Sequence, residues 1–438
     1  MHTQSAPLTE KKYVVPLVLV TSLFFLWAIG VNLNDVLIPH LKKAFGLSDF
    51  QSSFIQVAFF GGYCLGALPA GWLMEKIGYK GGILAGLFIC ATGAFLFIPA
   101  ARMGAYGFFL FALFVMSSGQ SFLEVGANPY VTVLGPAESS AARLNFAQSF
   151  NAVGAVITPL LGALFILSGI EYSPAQLSAM PPQQLAAYRA HEASMVRDPY
   201  LVITGIFLLV AALIYFSRLP EVAIPGSGEA DLRVDKNSKS IWAYPHLIKG
   251  VIAQFFYVGA QVGVGSFVIR FVKHTMPATP EKMAAQFLVG HQVGFMIGRF
   301  AGSAIMKRVP APRLLAIFGV GAVASVAVGI GTSGLVSVMA IVLVGFFNSI
   351  MFPTIFALSL KNLGNLTKRG SSLLVMSIIG GALIPAAMGR ISDATNIQLA
   401  FLVPLLCYVY VIYFAVAGYK PNPAMSLPKA AVATEVKG

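Results

Sequence analysis

RLPEVAIPGSGEADLRVDKNSKSIWAYP, residues 218–245, interrupts an otherwise apolar chain. The stretch is polar and rich in Pro, Gly and charge, which is the composition of a linker. Before it lie apolar runs near 14–39, 50–74, 81–101, 106–134, 143–168 and 199–217; after it lie runs near 246–272, 284–306, 312–331, 334–361, 370–391 and 398–418. About 20 apolar residues in a helix cross the hydrocarbon core of a bilayer. The chain therefore reads as an all-α membrane protein with twelve transmembrane helices. Residues 1–217 and 246–418 form two six-helix halves, 218–245 joins them, and 419–438 is a tail.

Composition agrees. The chain is 57% hydrophobic and 10% charged, whereas a soluble domain carries about 25% charged residues. The first run is too long for a cleaved signal peptide and lacks a small-residue cleavage site. The net charge of +13 does not point to nucleic acid. Most Lys and Arg fall on the side shared by both termini, the even-to-odd connections and the linker. By the positive-inside rule that side is the cytoplasm, so both termini are expected there, in a bacterial inner membrane, with the basic excess facing lipid. Cys64, Cys90 and Cys407 stand at unrelated spacings inside predicted helices and form no disulfide or metal framework. No cofactor is expected.

The halves carry traces of duplication. Arg143, Gly154 and Pro159 in the fifth run match Arg369, Gly380 and Pro385 in the eleventh, with spacings of 11 and 5 in both; Pro129 in the fourth run matches Pro353 in the tenth. Two connections also correspond, GWLMEKIGYK (71–80) and GSAIMKRVPAP (302–312), each with a Gly near a helix end followed by basic residues. Simple positive-inside anchoring accounts for the second of these about as well. Six-helix halves in parallel repeat resemble the layout of major facilitator transporters.

Two carboxylates stand in apolar surroundings, Asp35 in VNLNDVLIP (31–39) and Glu124 in LEVGANPYVTVLGP (123–136). A charge at the bilayer centre costs at least about 2.5–3.5 kcal/mol, so an acid there is by default a functional residue. Amides accompany them. Asn32 is three residues from Asp35; Gln120, Glu124 and Asn128 form a stripe at i, i+4, i+8; Gln148 and Asn151 are three apart; Gln254, Tyr257 and Gln261 are spaced three and four. These spacings place each set on one helical face. In lipid such faces turn toward protein or a water-filled cavity. Asn and Gln donate and accept hydrogen bonds, as sugar hydroxyls do.

Each residue also has a plainer reading. Buried amides join helices, and for Gln254 that role weighs as much as a functional one. Trp27, Phe24, Phe59 and Tyr63 read first as packing or interfacial aromatics; Tyr257 stands out because it shares a face with two Gln. Arg299 in GFMIGRFAGS either pairs with a carboxylate or reaches the membrane edge near Lys307, and reads as a gating or structural residue together with Asn128. Among the histidines, His291 alone falls well inside a run, where a hydrogen-bonded packing role is the usual one.

Several strings carry a specific resemblance: FFLWAIGVNLNDVLIPHL (24–41), LEVGANPYVTVLGP (123–136), RLNFAQSFNAVGA (143–155), AQFFYVGAQVGVGSFVIRF (253–271), IGRFAG (297–302) and SIMFPTIFALSLKNLG (349–364). Together they resemble the fucose–galactose–glucose:proton symporter family of the major facilitator superfamily, over roughly residues 14–415. The NLND string, Glu124 and the 171–198 insert resemble the L-fucose branch; Phe352 and IMFPTIF resemble the glucose/galactose branch. The resemblance implies that Asp35 and Glu124 couple protons and that Asn32, Gln148 and Asn151 contact the sugar or line its cavity. A monosaccharide (L-fucose, or alternatively glucose, galactose or N-acetylglucosamine), protons and lipid are then the partners of a monomer, with no nucleic acid and no enzymatic activity. An uncoupled facilitator needs no buried acids, and a drug exporter of this fold predicts fewer amides in its cavity. No nucleophile elbow, phosphate loop or metal-spaced His cluster supports an enzyme.

Overall fold

The computed structural model describes residues 7–47, 49–165, 172, 174–217 and 240–421. The linker apart from its last residues, most of the tail and Pro159 lie outside what is described at side-chain level.

The described residues are overwhelmingly helical. The first half contains α1 (Val14–Phe45), α2 (Asp49–Met103), α3 (Tyr106–Val133), α4 (Ser140–Phe165), the short α5 (Pro174–Ala179), α6 (Pro182–Ser194) and α7 (Arg197–Phe216). The second half contains α8 (Pro245–Thr275), α9 (Glu281–Ile305), α10 (Ala311–Gly331), α11 (Gly334–Asn348), α12 (Met351–Ser359), α13 (Thr367–Met376), α14 (Gly380–Ala394), α15 (Ile397–Ala400) and α16 (Leu402–Tyr413). Among the described residues nine helical stretches are long and apolar enough to cross a membrane. One of them, Phe54–Met103, is long enough for two passes, and α4 and α9 supply the remaining helices of the twelve-span reading.

Three expected boundaries are corrected. The runs at 50–74 and 81–101 are not separated by a loop. They form one element, broken only at Gly78 (φ 75, ψ 178). That backbone is left-handed, which glycine reaches without a Cβ clash. The run at 334–361 divides into α11 and α12 at Ser349–Ile350, just ahead of Pro353. The run at 370–391 divides at a 3₁₀ turn, Ser377–Ile379. Proline removes a backbone donor and crowds the preceding turn, yet α3 continues through Pro129.

The loop string 71–80 resolves into four separate jobs. Glu75 accepts two hydrogen bonds from Arg369, at 2.6 and 3.1 Å. Lys76 lies 3.8 Å over the Trp72 ring. Gly78 makes the turn. Lys80 donates to the Tyr215 and Ser217 carbonyls at 2.8 Å each, satisfying carbonyls at the end of α7 that have no helical partner.

The repeat-related residues diverge in one case and correspond in another. Fully buried Arg143 donates to the carbonyls of Leu8, Val131, Thr132 and Pro136, tying the N-terminal segment to the end of α3. Its counterpart Arg369 instead holds Glu75 of the other half. Gly154 and Gly380, by contrast, make the same kind of contact. A Cβ on Gly154 would lie 3.0 Å from the Phe25 oxygen of α1, and one on Gly380 only 2.2 Å from the Phe255 oxygen of α8. In both halves a glycine lets the backbones of two helices approach.

The halves meet along α4 with α9, α2 with α13, and α12 with α4. At the end of the molecule where the N-terminal segment packs, hydrogen bonds cross between them. Lys368 donates to the Met74 oxygen (2.7 Å), Ser371 to the Val125 oxygen (2.8 Å), Asn145 to Thr354 Oγ1 (3.1 Å) and Ser303 to the Ala142 oxygen (3.0 Å). These hydrogen bonds join the two halves at this end.

Candidate substrate and proton site

Glu124 sits on α3 at 6% exposure, in a helix whose residues from Gly119 to Val131 are all buried. One turn on, Asn128 follows on the same helical face, and its amide nitrogen completes no hydrogen bond. The Asn128 oxygen accepts from Gln148 Nε2 at 3.0 Å, which links α3 to α4. Gln148 in turn accepts twice from Arg299 of α9. Arg299 Nη1 reaches the Gln148 side-chain oxygen at 2.8 Å and its carbonyl at 2.6 Å, while Arg299 Nε donates to the Ser349 carbonyl at 3.0 Å. Next to this carbonyl, Tyr257 Oη donates to the Asn348 oxygen at 2.9 Å. A continuous polar path therefore runs from Glu124 through Asn128, Gln148 and Arg299 to the break between α11 and α12, crossing from one half to the other.

Arg299 takes neither of the two expected roles. Among the described residues no carboxylate lies within ion-pair distance of it, and at 3% exposure it does not reach water. It is held by oxygens of both halves and by the Phe295 ring, 4.6 Å from its carbon. Its charge is felt at Glu124 and Tyr257. A buried cation needs partners of this kind, and the fork geometry of guanidinium suits two anchoring groups at once.

The remaining predicted residues are spread along the same seam. Asn151 donates to the Phe24 oxygen of α1 at 3.2 Å. Asn32 turns its amide back to the Ala28 oxygen at 2.7 Å. Asn32, Asn151 and Gln261 are half-exposed, unlike fully shielded Gln148 and Tyr257. Asp35 is on α1, but its side chain lies outside the described residues. His291, two turns from Arg299 on α9, packs against Gly345 of α11 and joins no part of the path.

Asn348 is the residue that sequence reasoning missed. It is fully buried, with no hydrogen bond to its amide atoms, and Gln254 on α8 is in the same condition. Its signal was present. It stands five residues before Pro353, as Glu124 stands five before Pro129. The repeat thus pairs an ionisable group in one half with a neutral amide in the other. Among the described residues no cluster of His, Cys, Asp and Glu is suited to a metal ion.

Known proteins resemble the chain in both sequence and fold. The Major Facilitator Superfamily profile matches residues 20–378. The L-fucose-proton symporter of Escherichia coli K12 is 43% identical over 411 residues, covering 93% of each chain. A glucose/galactose transporter of Brucella abortus is 41% identical over 421 residues, covering 96% of this chain and 97% of the relative. A crystal structure of a transporter of this superfamily, FucP, in the outward conformation superposes with a TM-score of 0.83 at 42% identity, covering 92% of this chain and 99% of that one. The chain, a transporter by fold and relatives rather than an enzyme, belongs to the Major Facilitator Superfamily.

Proposed function

We propose that this protein is a proton-coupled symporter that imports L-fucose or a related monosaccharide by alternating access. The observation that carries this reading is the path from Glu124 to Arg299, in which a shielded carboxyl is joined by neutral amides to a cation held by both halves. The relatives named for fucose–proton symport and glucose/galactose transport support it.

In this reading the terminal end and both termini lie on the cytoplasmic side of the inner membrane, and the hydrogen bonds between the halves close that face. Half-exposed Asn32, Asn151 and Gln261 then line the approach from outside, and Tyr257, Gln148 and Asn128 form the floor. A carboxyl held away from water favours its neutral, protonated form. Glu124 takes a proton from the outside, sugar binds, and opening to the cytoplasm rehydrates the carboxyl so that the O–H bond breaks and the proton leaves. Asp35 binds sugar and tunes proton entry. Unprotonated Glu124 attracts Arg299, and protonation weakens that attraction, so the site's charge state is tied to the contact between the halves. A protein that acts as a monomer suffices for this cycle, since both halves belong to one chain.

Glucose or galactose transport is a second reading. Phe352, buried 6.4 Å from the Tyr257 ring, offers no hydroxyl to a sugar. Both readings are tested by external pH in a weakly buffered, de-energised suspension of expressing cells. Alkalinisation on adding L-fucose alone supports fucose symport. Alkalinisation only with another hexose keeps the mechanism and changes the sugar. Uptake of labelled sugar with no pH change removes proton coupling.

The Glu75–Arg369 pair belongs to the state closed at the terminal end. Its side chains are 25% and 61% exposed, and exposed pairs contribute about 0–1 kcal/mol. Arg369→Gln is expected to change the apparent KM for external sugar by no more than about fivefold. Initial rates of uptake across a sugar titration check this.

A further inference from the structure

Pro129 and Pro353 each remove one backbone donor from a buried segment. Proline has no N–H for the carbonyl four residues earlier, which here belongs to Val125 in α3 and to Ser349 just after α11. In lipid a carbonyl freed in this way needs a donor from a neighbouring helix. Both find one. Arg299 Nε takes the Ser349 oxygen at 3.0 Å, and Ser371 Oγ donates to the Val125 oxygen at 2.8 Å. The second donor stands on α13, in the opposite half from its acceptor. Val125 and Ser371 are both fully buried, and Val125 directly follows Glu124.

Ser371 departs from the habit of its neighbours. A Ser or Thr hydroxyl in a helix commonly donates to a carbonyl three or four residues back on its own chain segment. Thr367, Ser372 and Ser377 do so, to Gly364, Lys368 and Leu374. Ser371 gives its hydrogen to the other half instead. The internal repeat carries the same arrangement. Asn145 and Ser371 stand two residues after the matched Arg143 and Arg369. Asn145 Nδ2 also crosses between the halves, to Thr354 Oγ1 at 3.1 Å, and Thr354 directly follows Pro353. Thr354 in turn donates to the Ile350 oxygen at 2.6 Å. Corresponding positions of the two halves thus dock on the proline-containing segment of the opposite half.

We propose that Ser371 is a positioning residue for transport: its hydroxyl seats on the carbonyl that Pro129 leaves free beside Glu124, and so holds the halves together at the end where the N-terminal segment packs. This rests on the proposed alternating access. Because the donor belongs to the other half, it satisfies the carbonyl only while that end is closed. Opening the end parts the two groups and hands the Val125 carbonyl to water. Pro129 therefore turns a backbone group into an acceptor whose partner depends on the state of the transporter. A hydroxyl on α3 itself would satisfy the same carbonyl in every state and would carry no such dependence.

The test is maleimide labelling of Ala142→Cys in the purified full-length protein, with Cys64, Cys90 and Cys407 replaced by alanine. Ala142 is buried on α4, where its carbonyl accepts from Ser303 of the other half, so a thiol there reacts when the halves part. Adding Ser371→Ala is expected to speed labelling about 5–10-fold, the scale of leaving a buried acceptor unpaired. Ser371→Thr keeps the hydroxyl and is expected to label at the rate of the Ser371 protein. Pro129→Ala returns an N–H to Val125 within α3, so in that background Ser371→Ala is expected to change labelling by less than about twofold. Apparent KM for external sugar is expected to rise in Ser371→Ala with the maximal rate not reduced, whereas a damaged fold lowers the rate. Unchanged labelling in Ser371→Ala, no recovery in Ser371→Thr, or an undiminished effect in the Pro129→Ala background would overturn the proposal. A missing sugar-induced proton uptake overturns the symport reading instead and leaves the labelling to decide the role of Ser371.

Discussion

Glu124→Gln is expected to exchange sugar across the membrane and fail to accumulate it. Glutamine keeps the shape and hydrogen-bonding capacity of the protonated acid but cannot release a proton. One proton moving down 100 mV releases about 2.3 kcal/mol, enough for roughly 50-fold accumulation at 1.4 kcal/mol per factor of ten. The variant's internal-to-external ratio of labelled sugar is expected to fall to about one, while preloaded membranes still exchange labelled for unlabelled sugar. The measurement is paired uptake and counterflow, with and without a protonophore. A variant that still concentrates sugar would remove Glu124 from the coupling step. The expectation depends on the shielding of Glu124 and on its link through Asn128 and Gln148 to the other half.

Arg299→Met is expected to fail in both assays, and that difference separates the two residues. Arg299 supplies hydrogen bonds to the Gln148 oxygen, the Gln148 side chain and the Ser349 carbonyl. Removing it leaves all three acceptors shielded and without this donor. Breaking a buried charged contact by deleting one partner costs about 3–5 kcal/mol, so counterflow and net uptake are expected to drop by about 100-fold or more. Arg299→Lys is expected to recover only part of the rate, because one ammonium does not reproduce the fork that reaches both halves. Chromatographic homogeneity and thermal melting of the purified variants separate a lost contact from a lost fold. Counterflow near the unsubstituted rate in a well-folded Arg299→Met would show that the contact between the halves does not limit the cycle.

The site was legible in unequal parts. Gln148 and Asn128 were readable from helical spacing, since three- and four-residue intervals place amides on one face. Their partners were not. Periodicity fixes which face a residue occupies, but not which of many helices it meets. Arg299 shows the gap. Its isolation inside an apolar run marked it as costly and therefore held, yet its actual partners are two backbone carbonyls and a glutamine. Backbone carbonyls leave no trace in a sequence. Asn348 went unread for a different reason, because the duplication was recognised at Pro129 and Pro353 and not carried five residues upstream.

By itself the sequence determined that the chain is helical and lies in a bilayer, marked 218–245 as the expected linker, and placed amides and an acid on particular faces. These properties are local or compositional. The length of an apolar run, the polarity of a linker and the period of a helix are set by neighbouring residues, because lipid forces each segment to satisfy its own backbone. Only the tertiary structure decided that Gly78 alone breaks α2, that Arg143 ties down the N-terminal segment while its counterpart Arg369 crosses to Glu75, and that Glu124, Gln148 and Arg299 lie on one path. Those facts depend on which helices become neighbours. In a membrane that choice rests on close packing at small residues and on a few polar contacts between distant segments, and neither is encoded within any one run.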